Sequence, residues 1–259
     1  VLYYDPSQPS DLEVLLETSS LSEAQRARAA RLREEIVRLG LSKYNFSTEA
    51  PLTLPAPHSR PVLLVPGQVS DDASVRLGGG SVDSDDALVD AVRNAHPEAF
   101  LLYKPHPDVV SGNRVGGLSA QQLARVDHVE TRASLHTCLA AASAVHTLTS
   151  LVGFEALLRR LPVTTYGRPF YAGWGLTTDR EELPRRTRRL DLDELVHGVL
   201  IDYPRYYSYE ADCFVEPEDT LFELERARAR GDDLAPRASA FARRWSRLRG
   251  LLKGVLLGP

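Results

Sequence analysis

The sequence contains two adjacent carboxylates, Asp71 and Asp72, and carboxylate side chains can take part in catalysis. They stand in a polar segment with Gln68 and Ser74, shortly after the apolar run 62–65. Neighbouring carboxylates repel each other, so one of them can have a raised pKa, and an aspartate can serve as a nucleophile. The same composition is also typical of an ordinary turn rich in Asp and Ser. The segment therefore holds a candidate catalytic carboxylate, with a plain turn as the alternative.

A lysine and a histidine are braced by prolines in the segment Lys104-Pro105-His106-Pro107. Proline fixes its own φ angle and restricts the residue before it, so we expect Lys104 and His106 to have extended backbone geometry. A rigid pair of this kind suits a phosphate, or the negative charge that develops on a leaving group. The alternative is a surface turn with a structural histidine.

Two hydroxyls, those of Thr149 and Ser150, stand at the predicted start of an apolar helix. N-cap hydroxyls, backbone N–H groups and the helix dipole together make an anion site. Gly153 would let a ligand approach the first turn, and Glu155 could accept hydrogen bonds from ribose hydroxyls or a base amine. Helix capping alone explains the two hydroxyls, but it does not explain Gly153, because glycine destabilises a helix interior.

A loop rich in glycine and aromatic residues spans 166–179 and includes Gly173 and Trp174. This composition indicates a wall of a small-molecule pocket. Arginines in and after this loop could face a carboxylate or phosphate, although we expect most of them to be solvated. They are Arg180, Arg185, Arg186, Arg188 and Arg189.

These loops need a scaffold, and the surrounding pattern predicts one. Strands are predicted at 62–65, 99–103, 126–129, 144–147 and 162–166, and helices at 83–95, 119–124, 134–142 and 151–160. The alternation with short connections favours a doubly wound, parallel α/β sheet. Since parallel strands end at one edge, the candidate loops should meet there. Ahead of the sheet, a helix is predicted at 22–39 and an extended, proline-rich linker at 51–61.

The composition is that of a globular protein and excludes several classes. Of 259 residues, 43% are hydrophobic and 25% are charged, which are ordinary proportions. No apolar run reaches the ~18 residues of a transmembrane helix, and the first residues do not resemble a signal peptide. Two cysteines are too few for a disulfide framework, so a reducing, cytoplasmic setting is expected. The histidines lack ligand spacing, so we expect no metal.

Charge is distributed unevenly along the chain. The net charge is −4, yet residues 237–259 contain six basic and no acidic residues. The remaining acidic body makes general nucleic-acid binding improbable, so no nucleic-acid partner is expected. The chain contains no methionine, and we therefore expect it to be a piece of a longer reading frame.

Taken in order, the motifs resemble those of the capsule polysaccharide β-Kdo glycosyltransferases of the KpsC type. No single motif is specific, but the ordered set covers nearly the whole chain. The segments that carry the resemblance include Tyr3-Tyr4-Asp5, Gly67-Gln68-Val69, Asp72-Ala73-Ser74, Lys104-Pro105-His106-Pro107, Thr149 to Leu157, and Phe170-Tyr171-Ala172-Gly173-Trp174-Gly175-Leu176-Thr177.

The resemblance implies roles for the candidate residues. His106 is expected at the phosphate of a CMP-β-Kdo donor, with Thr149 and Ser150 nearby and Glu155 at the cytidine ribose. Asp72 is expected to be the nucleophile that forms a Kdo–enzyme adduct, because retention of configuration needs such an adduct or a front-face route. The complete expected donor-binding set is Gln68, Ser74, Lys104, Pro107, Thr149, Ser150, Gly153, Glu155, Gly173 and Trp174.

The resemblance also implies an architecture and partners. It implies a GT-B glycosyltransferase with two Rossmann-like halves, no required metal or cofactor, and an acceptor half that would lie mostly ahead of this chain. The acceptor would be Kdo on a lyso-phosphatidylglycerol anchor, and other capsule assembly proteins are expected partners. The setting would be cytoplasmic, peripheral to the inner membrane.

Three regions are expected on this basis. They are 1–55, a remnant of the acceptor-side half with its linker; 56–230, a Rossmann-like CMP-Kdo-binding domain; and 231–259, a basic amphipathic tail. The tail could contact a membrane surface or lead to a second transferase domain. Two other functions stay open: a donor-binding module without catalysis in a capsule assembly or export complex, and a CMP-sialic acid transferase.

Overall fold

A six-stranded parallel sheet forms the framework of this chain in the computed structural model, which describes residues 2–42, 51–54 and 60–230. The strands are β1 Val62–Pro66, β2 Phe100–Lys104, β3 His128–Val129, β4 Ala144–Thr147, β5 Val163–Thr165 and β6 Thr178–Asp179. They lie in the order β3-β2-β1-β4-β5-β6, and each neighbouring pair is parallel. This is the strand order of a Rossmann fold, so the predicted α/β class is confirmed.

Helices connect and cover these strands. They are α1 Asp11–Thr18, α2 Glu23–Arg38, α3 Ala73–Gly78, α4 Asp85–Ala95, α5 Pro107–Val110, α6 Ala120–Leu123, α7 Leu135–Ala141, α8 Leu151–Leu158, α9 Leu192–His197 and α10 Pro217–Ala229. A π-helical segment, Gly198–Asp202, continues α9, and an antiparallel hairpin of β7 Tyr206–Ser208 and β8 Cys213–Val215 precedes α10. Within the described part of the chain, no helix is both long and apolar enough to cross a bilayer.

The sheet is buried on both faces, as the apolar runs of its strands require. Successive residues of a strand point to opposite faces, so Leu64 and Leu102 join one core while Leu63, Val65 and Leu101 join the other. The inner strands are therefore held from both sides, and their carboxyl ends are fixed relative to one another.

The two helices ahead of the predicted linker pack onto the first of these cores. Leu12 and Leu16 of α1 and Ala29 of α2 are buried in it. Arg26 of α2 also pairs with Asp191 and Glu194 at the start of α9. The proposed division of the chain at residue 55 stays a prediction.

Most elements lie where hydrophobic patterning predicts them. Strands β1, β2 and β4 agree with the predicted segments within one residue, and α2, α4, α7 and α8 within two. Short or polar elements escaped prediction: α1, α3, α5, β6, α9, the hairpin and α10. The predicted linker at 51–61 lies partly, and the tail at 231–259 wholly, outside the described residues.

Candidate functional site

A cavity of about 680 Å³ opens at the carboxyl edge of the sheet. It is lined by the loops that follow β1, β2 and β4, on both sides of the point where the strand order reverses between β1 and β4. Open α/β sheets bind their ligands at this position. The expectation that the candidate loops meet in one cleft is therefore confirmed.

The residues of this cleft include the N-caps of three helices. Asp72 caps α3, His106 caps α5 and Ser150 caps α8, and all three line the cavity. Each side chain accepts a hydrogen bond from the backbone N–H two residues further on. The three groups that the sequence singled out thus have fixed orientations, because each is bound to its own helix.

The cap at α5 determines the tautomer of His106. Its Nδ1 accepts from the N–H of Asp108 at 3.1 Å, so in the neutral ring the proton resides on Nε2. The backbone at His106 is extended, with φ −63° and ψ 138°, as the flanking prolines predicted. The imidazole therefore presents an N–H donor, which suits an anionic group in the cavity.

The two adjacent aspartates have different surroundings. Asp71 is exposed and pairs with Arg114 at 2.6 Å, and a hydrogen bond from that guanidinium lowers the pKa of Asp71. Asp72 lines the cavity, where its Oδ1 accepts from both the backbone N–H and the hydroxyl of Ser74. The two aspartates therefore differ in position: Asp72 lines the cavity, whereas Asp71 pairs with Arg114 outside it.

Gln68 forms part of the cavity floor and is buried. Its backbone N–H donates to the carboxylate of Asp85 at 3.1 Å, and the hydroxyl of Tyr103 donates to the same carboxylate at 2.7 Å. Burial raises the pKa of Asp85 to about 6. The side-chain amide of Gln68 reaches across to Thr149, which joins the β1 loop to the β4 loop.

Lys104 and Glu155 bring opposite charges to the cavity. The ammonium group of Lys104 donates to the carbonyl of Ala133 at 2.7 Å, so the end of β2 is tied to the segment that follows β3. Glu155 is buried in the second turn of α8. Pro107, which begins α5, also lines the cavity.

An aromatic wall that the site prediction did not include completes the cavity. Tyr3 lies edge-on to Phe170, with ring centroids 5.7 Å apart, and Tyr4 lies beside Tyr3. Arg168 lines the same region and pairs with Glu181 at 3.0 Å. The Gly- and aromatic-rich loop was predicted to form a pocket wall, and its residues Arg168 and Phe170 do line the cavity. The contact of that loop with Tyr3 was not predictable, since contacts between residues so far apart in the chain leave no local pattern.

Three residues of the expected donor-binding set lie elsewhere. Of the described residues, those lining the cavity do not include Gly153, Gly173 or Trp174. Trp174 is fully buried in the core, and its indole N–H donates to the carbonyl of Phe170. Gly173 donates its N–H to Asp179 at a φ of +82°, which favours glycine. The prediction that these two residues form a pocket wall is wrong, because this part of the loop packs into the core, whereas Arg168 and Phe170 of the same loop line the cavity.

Gly153 also has a packing role, and the expectation of ligand approach there is wrong. A Cβ atom at this position would lie 2.2 Å from the hydroxyl oxygen of Tyr171. The glycine therefore makes room for a tyrosine in the core.

The expected solvation of most of the arginine run is wrong for Arg186, whose side chain is buried, while Arg185 is exposed and Arg188 is half-buried. Arg185 and Arg186 both donate to the buried carboxylate of Glu13 in α1, at 2.8 and 3.1 Å. Arg188 pairs with Glu194 at 2.6 Å. These arginines fasten the helices of residues 11–38 to the loop after β6.

The cavity contains polar and charged groups suited to an anionic ligand. Among the residues described, no group of three or more His, Cys, Asp or Glu side chains is arranged to hold a metal ion. Lys104, His106 and the start of α8 supply positive charge and N–H donors at one end of the sheet.

Comparisons with known proteins agree with this fold. A family model described as capsule polysaccharide biosynthesis protein matches residues 41–206. The capsule polysaccharide modification protein LipA of Neisseria meningitidis serogroup B is 42% identical over 228 residues, or 88% of this chain and 32% of LipA. The lipopolysaccharide-processing protein LpsZ of Rhizobium meliloti is 42% identical over 226 residues, or 86% of this chain and 51% of LpsZ.

Two solved structures are also similar. The β-Kdo 2,7 transferase of Thermosulfurimonas dismutans KpsC is 36% identical with a TM-score of 0.76, over 88% of this chain and 69% of that one. The β-Kdo 2,4 transferase of the same KpsC is 31% identical with a TM-score of 0.78, over 86% of this chain and 70% of that one.

The chain spans about a third of the length of LipA and about half that of LpsZ. The family match covers more than half of the chain, and it includes the loops that supply Asp72, His106 and Ser150. The chain therefore belongs to the capsule polysaccharide biosynthesis protein family, and its resemblance to the KpsC type is confirmed.

Proposed function

We propose that this chain is the donor-binding part of a retaining β-Kdo glycosyltransferase, which uses CMP-β-Kdo to build the Kdo linker on the lipid anchor of a capsule polysaccharide. The observation that carries the proposal is the convergence of Asp72, His106 and Ser150 in one cavity at the carboxyl edge of a Rossmann-like sheet. The similarity to two β-Kdo transferases supports the choice of sugar.

The donor phosphate would bind where helix α8 begins. The N-terminus of α8 presents the positive end of the helix dipole to the cavity, which favours a phosphodiester. His106 would donate from Nε2 to the same phosphate, and Lys104 would balance the phosphate or the sugar carboxylate. Glu155, buried in the second turn of α8, would hold the ribose.

The reaction would proceed in two displacements. In the first, a carboxylate oxygen of Asp72 attacks the anomeric carbon and the bond from that carbon to the phosphate oxygen breaks, so CMP leaves as the anion. His106 and the α8 N-terminus stabilise the negative charge on CMP. In the second, an acceptor hydroxyl attacks the anomeric carbon of the adduct and gives its proton to a general base of the acceptor-binding half, while the bond from that carbon to Asp72 breaks and the Asp72 carboxylate is regenerated. Two inversions give overall retention.

The wider assignment follows from the same proposal. The transferase would have GT-B architecture, with a second Rossmann-like half that binds the acceptor, a Kdo-terminated lyso-phosphatidylglycerol. It would act without a metal or other cofactor, in the cytoplasm at the surface of the inner membrane, beside other capsule assembly proteins.

The test combines nucleotide binding with detection of the adduct. CMP and UMP are titrated calorimetrically into the chain, which is then incubated with CMP-β-Kdo and examined by intact-mass spectrometry. We expect CMP to bind more tightly than UMP, and a Kdo adduct on the wild type that is absent from Asp72→Asn. Asp71→Asn is the matched control, because Asp71 is an exposed neighbouring carboxylate bound to Arg114.

Each other outcome rejects part of the proposal. An adduct on Asp72→Asn would remove Asp72 as nucleophile, and equal binding of CMP and UMP would reject a cytidine donor. If CMP binds but neither adduct nor transfer to a Kdo-terminated lipid is detected, the chain is a binding module without catalysis. Faster reaction with CMP-sialic acid would identify the other donor class.

A further inference from the structure

We propose that Gln68 and Thr149 are positioning residues that act on Asp72 through a directed chain of hydrogen bonds, without needing contact with the substrate themselves. The chain runs from the Gln68 amide to the Thr149 hydroxyl, then to the Ser74 hydroxyl, and ends at the Asp72 carboxylate. The proposal rests on the proposed function, in which Asp72 is the reacting carboxylate.

The orientation of the Gln68 amide is fixed by its surroundings. The backbone N–H of Thr149 donates to the amide oxygen of Gln68 at 3.0 Å, and a backbone N–H can only donate. The amide nitrogen must therefore be the atom that faces the Thr149 hydroxyl, also at 3.0 Å. Both residues are buried, so these bonds form in a low dielectric, where they are strong.

This orientation gives the remaining bonds a single direction. Since the Thr149 hydroxyl oxygen accepts from Gln68, its own proton is available for the Ser74 hydroxyl at 3.3 Å. The Ser74 hydroxyl in turn donates to Oδ1 of Asp72 at 2.7 Å. Each donor polarises the next hydroxyl, and hydrogen bonds in such a chain strengthen one another.

This chain of hydrogen bonds affects the charge state and the orientation of the Asp72 carboxylate. Hydrogen bonds to an ionised carboxylate favour the ionised form, which is the form that attacks as a nucleophile. Oδ1 also accepts the backbone N–H of Ser74 at 2.8 Å, so this oxygen is engaged by two donors.

The experiment measures the pKa of Asp72 in the chain itself. Aspartate carboxyl carbons are labelled with ¹³C, the Asp72 signal is assigned with Asp72→Asn, and its pKa is determined by NMR titration. We expect Ser74→Ala to raise the pKa by about half a unit or more, because a bond to the charged form is lost. Thr149→Val and Gln68→Met should each raise it by about 0.3 unit, because the remaining bond weakens.

Thr149→Ser is the matched control, because serine keeps the hydroxyl and should leave the Asp72 pKa at its wild-type value. An unchanged pKa in both Thr149→Val and Gln68→Met, with only Ser74→Ala shifted, would overturn the proposal. An equal shift in Thr149→Ser and Thr149→Val would also overturn it. Gln68→Met and Thr149→Val interrupt the hydrogen-bond chain at different bonds. If one of the two variants does not fold, as judged by loss of its native ¹H–¹⁵N spectrum, the other variant still tests the proposal.

This titration needs neither donor nor acceptor, so its result is independent of whether the chain transfers Kdo. Where adduct formation is observed, its pH profile provides a second readout. The acidic limb of the rate should move to higher pH in Thr149→Val and return to its wild-type position in Thr149→Ser. A merely structural role of Thr149 would lower the rate without moving that limb.

Discussion

The hydroxyl of Tyr171 lies directly over Gly153 and donates to the carbonyl of Ser150 at 2.5 Å. This bond joins the 166–179 loop to the residue that caps α8 at the cavity. Gly153 is buried within the first turn of that helix, where glycine lowers helix stability. Because the Tyr171 hydroxyl leaves no room for a Cβ atom, glycine occupies this position despite its low helix propensity.

Gly153→Ala should therefore destabilise the protein, although alanine is the better helix former. The added Cβ would lie 2.2 Å from the Tyr171 hydroxyl oxygen and 2.6 Å from its Cζ atom. We expect a net loss of about 1–3 kcal/mol in the free energy of unfolding, because overpacking outweighs the helix propensity gained. Urea denaturation measures this value, and a variant as stable as the wild type would contradict the packing explanation.

A comparison of His106→Asn with His106→Ala should separate the capping role of His106 from its proposed phosphate contact. Asparagine can cap α5 as the imidazole does, so His106→Asn should unfold within about 0.5 kcal/mol of the wild type, whereas His106→Ala should lose about 1 kcal/mol. Both variants lack the Nε2 donor, and both should bind CMP about tenfold more weakly or worse. Urea denaturation and calorimetric titration with CMP provide the two readouts. Wild-type affinity in His106→Asn would place the phosphate elsewhere.

The sequence allowed prediction of the elements whose pattern is local. The apolar runs of β1 and β4 and the capped helices α2 and α4 follow from spacing alone, and so does the meeting of three loops at one edge of the sheet. The extended backbone at His106 also follows from its proline neighbours.

What the sequence could not decide depends on partners far along the chain. A loop with glycines and a tryptophan has the same composition whether it lines a pocket or packs internally. Trp174 is buried in the core, and the guanidinium of Arg186 lies over its ring, 5.5 Å from the centroid. Arg186 in turn is held by Glu13, which belongs to the first helix. The placement of Tyr3 beside Phe170 depends on the same docking of the N-terminal segment.

His146 should lower the stability of the protein in acid, although Asp85 has the opposite effect over the same pH range in the wild type. Burial, with His96 and Arg180 nearby, lowers the pKa of His146 to about 4. Because the unfolded chain binds this proton more readily, stability falls as the pH decreases from about 6.5 towards 4, by about 3 kcal/mol. The raised pKa of Asp85, about 6, has the opposite sign: stability falls as the pH rises from about 4 to 6, by a similar amount.

The variant His146→Gln should separate the pH dependence of stability due to His146 from that due to Asp85. Glutamine cannot be protonated, so the contribution of His146 is lost while that of Asp85 remains. We expect the free energy of unfolding of the variant, minus that of the wild type, to increase by up to about 3 kcal/mol as the pH falls from 6.5 to 4. Urea denaturation at a series of pH values measures the difference, and a difference that stays constant with pH would show that His146 does not titrate on unfolding.

The ion pairs of Glu13 should be needed to hold the N-terminal helices on the sheet. Its carboxylate is buried and accepts from Arg185 and Arg186, and the Arg186 side chain is only 3% exposed. Glu13→Gln leaves the buried guanidinium of Arg186 without its counter-charge, so we expect a loss of about 2–4 kcal/mol in the free energy of unfolding.

The control for this prediction is Glu34→Gln, because the Glu34 side chain is 68% exposed and pairs with Arg33 at 3.3 Å. Glu34 is exposed, and Arg33 keeps a second carboxylate partner in Asp193 at 3.1 Å, so this control should lose at most about 0.5 kcal/mol. Equal stability of the two variants would contradict the anchoring role of Glu13. Since Tyr3 and Tyr4 reach the cavity from the segment just before α1, Glu13→Gln should also weaken CMP binding if the aromatic wall contributes to it, whereas Glu34→Gln should leave CMP affinity unchanged.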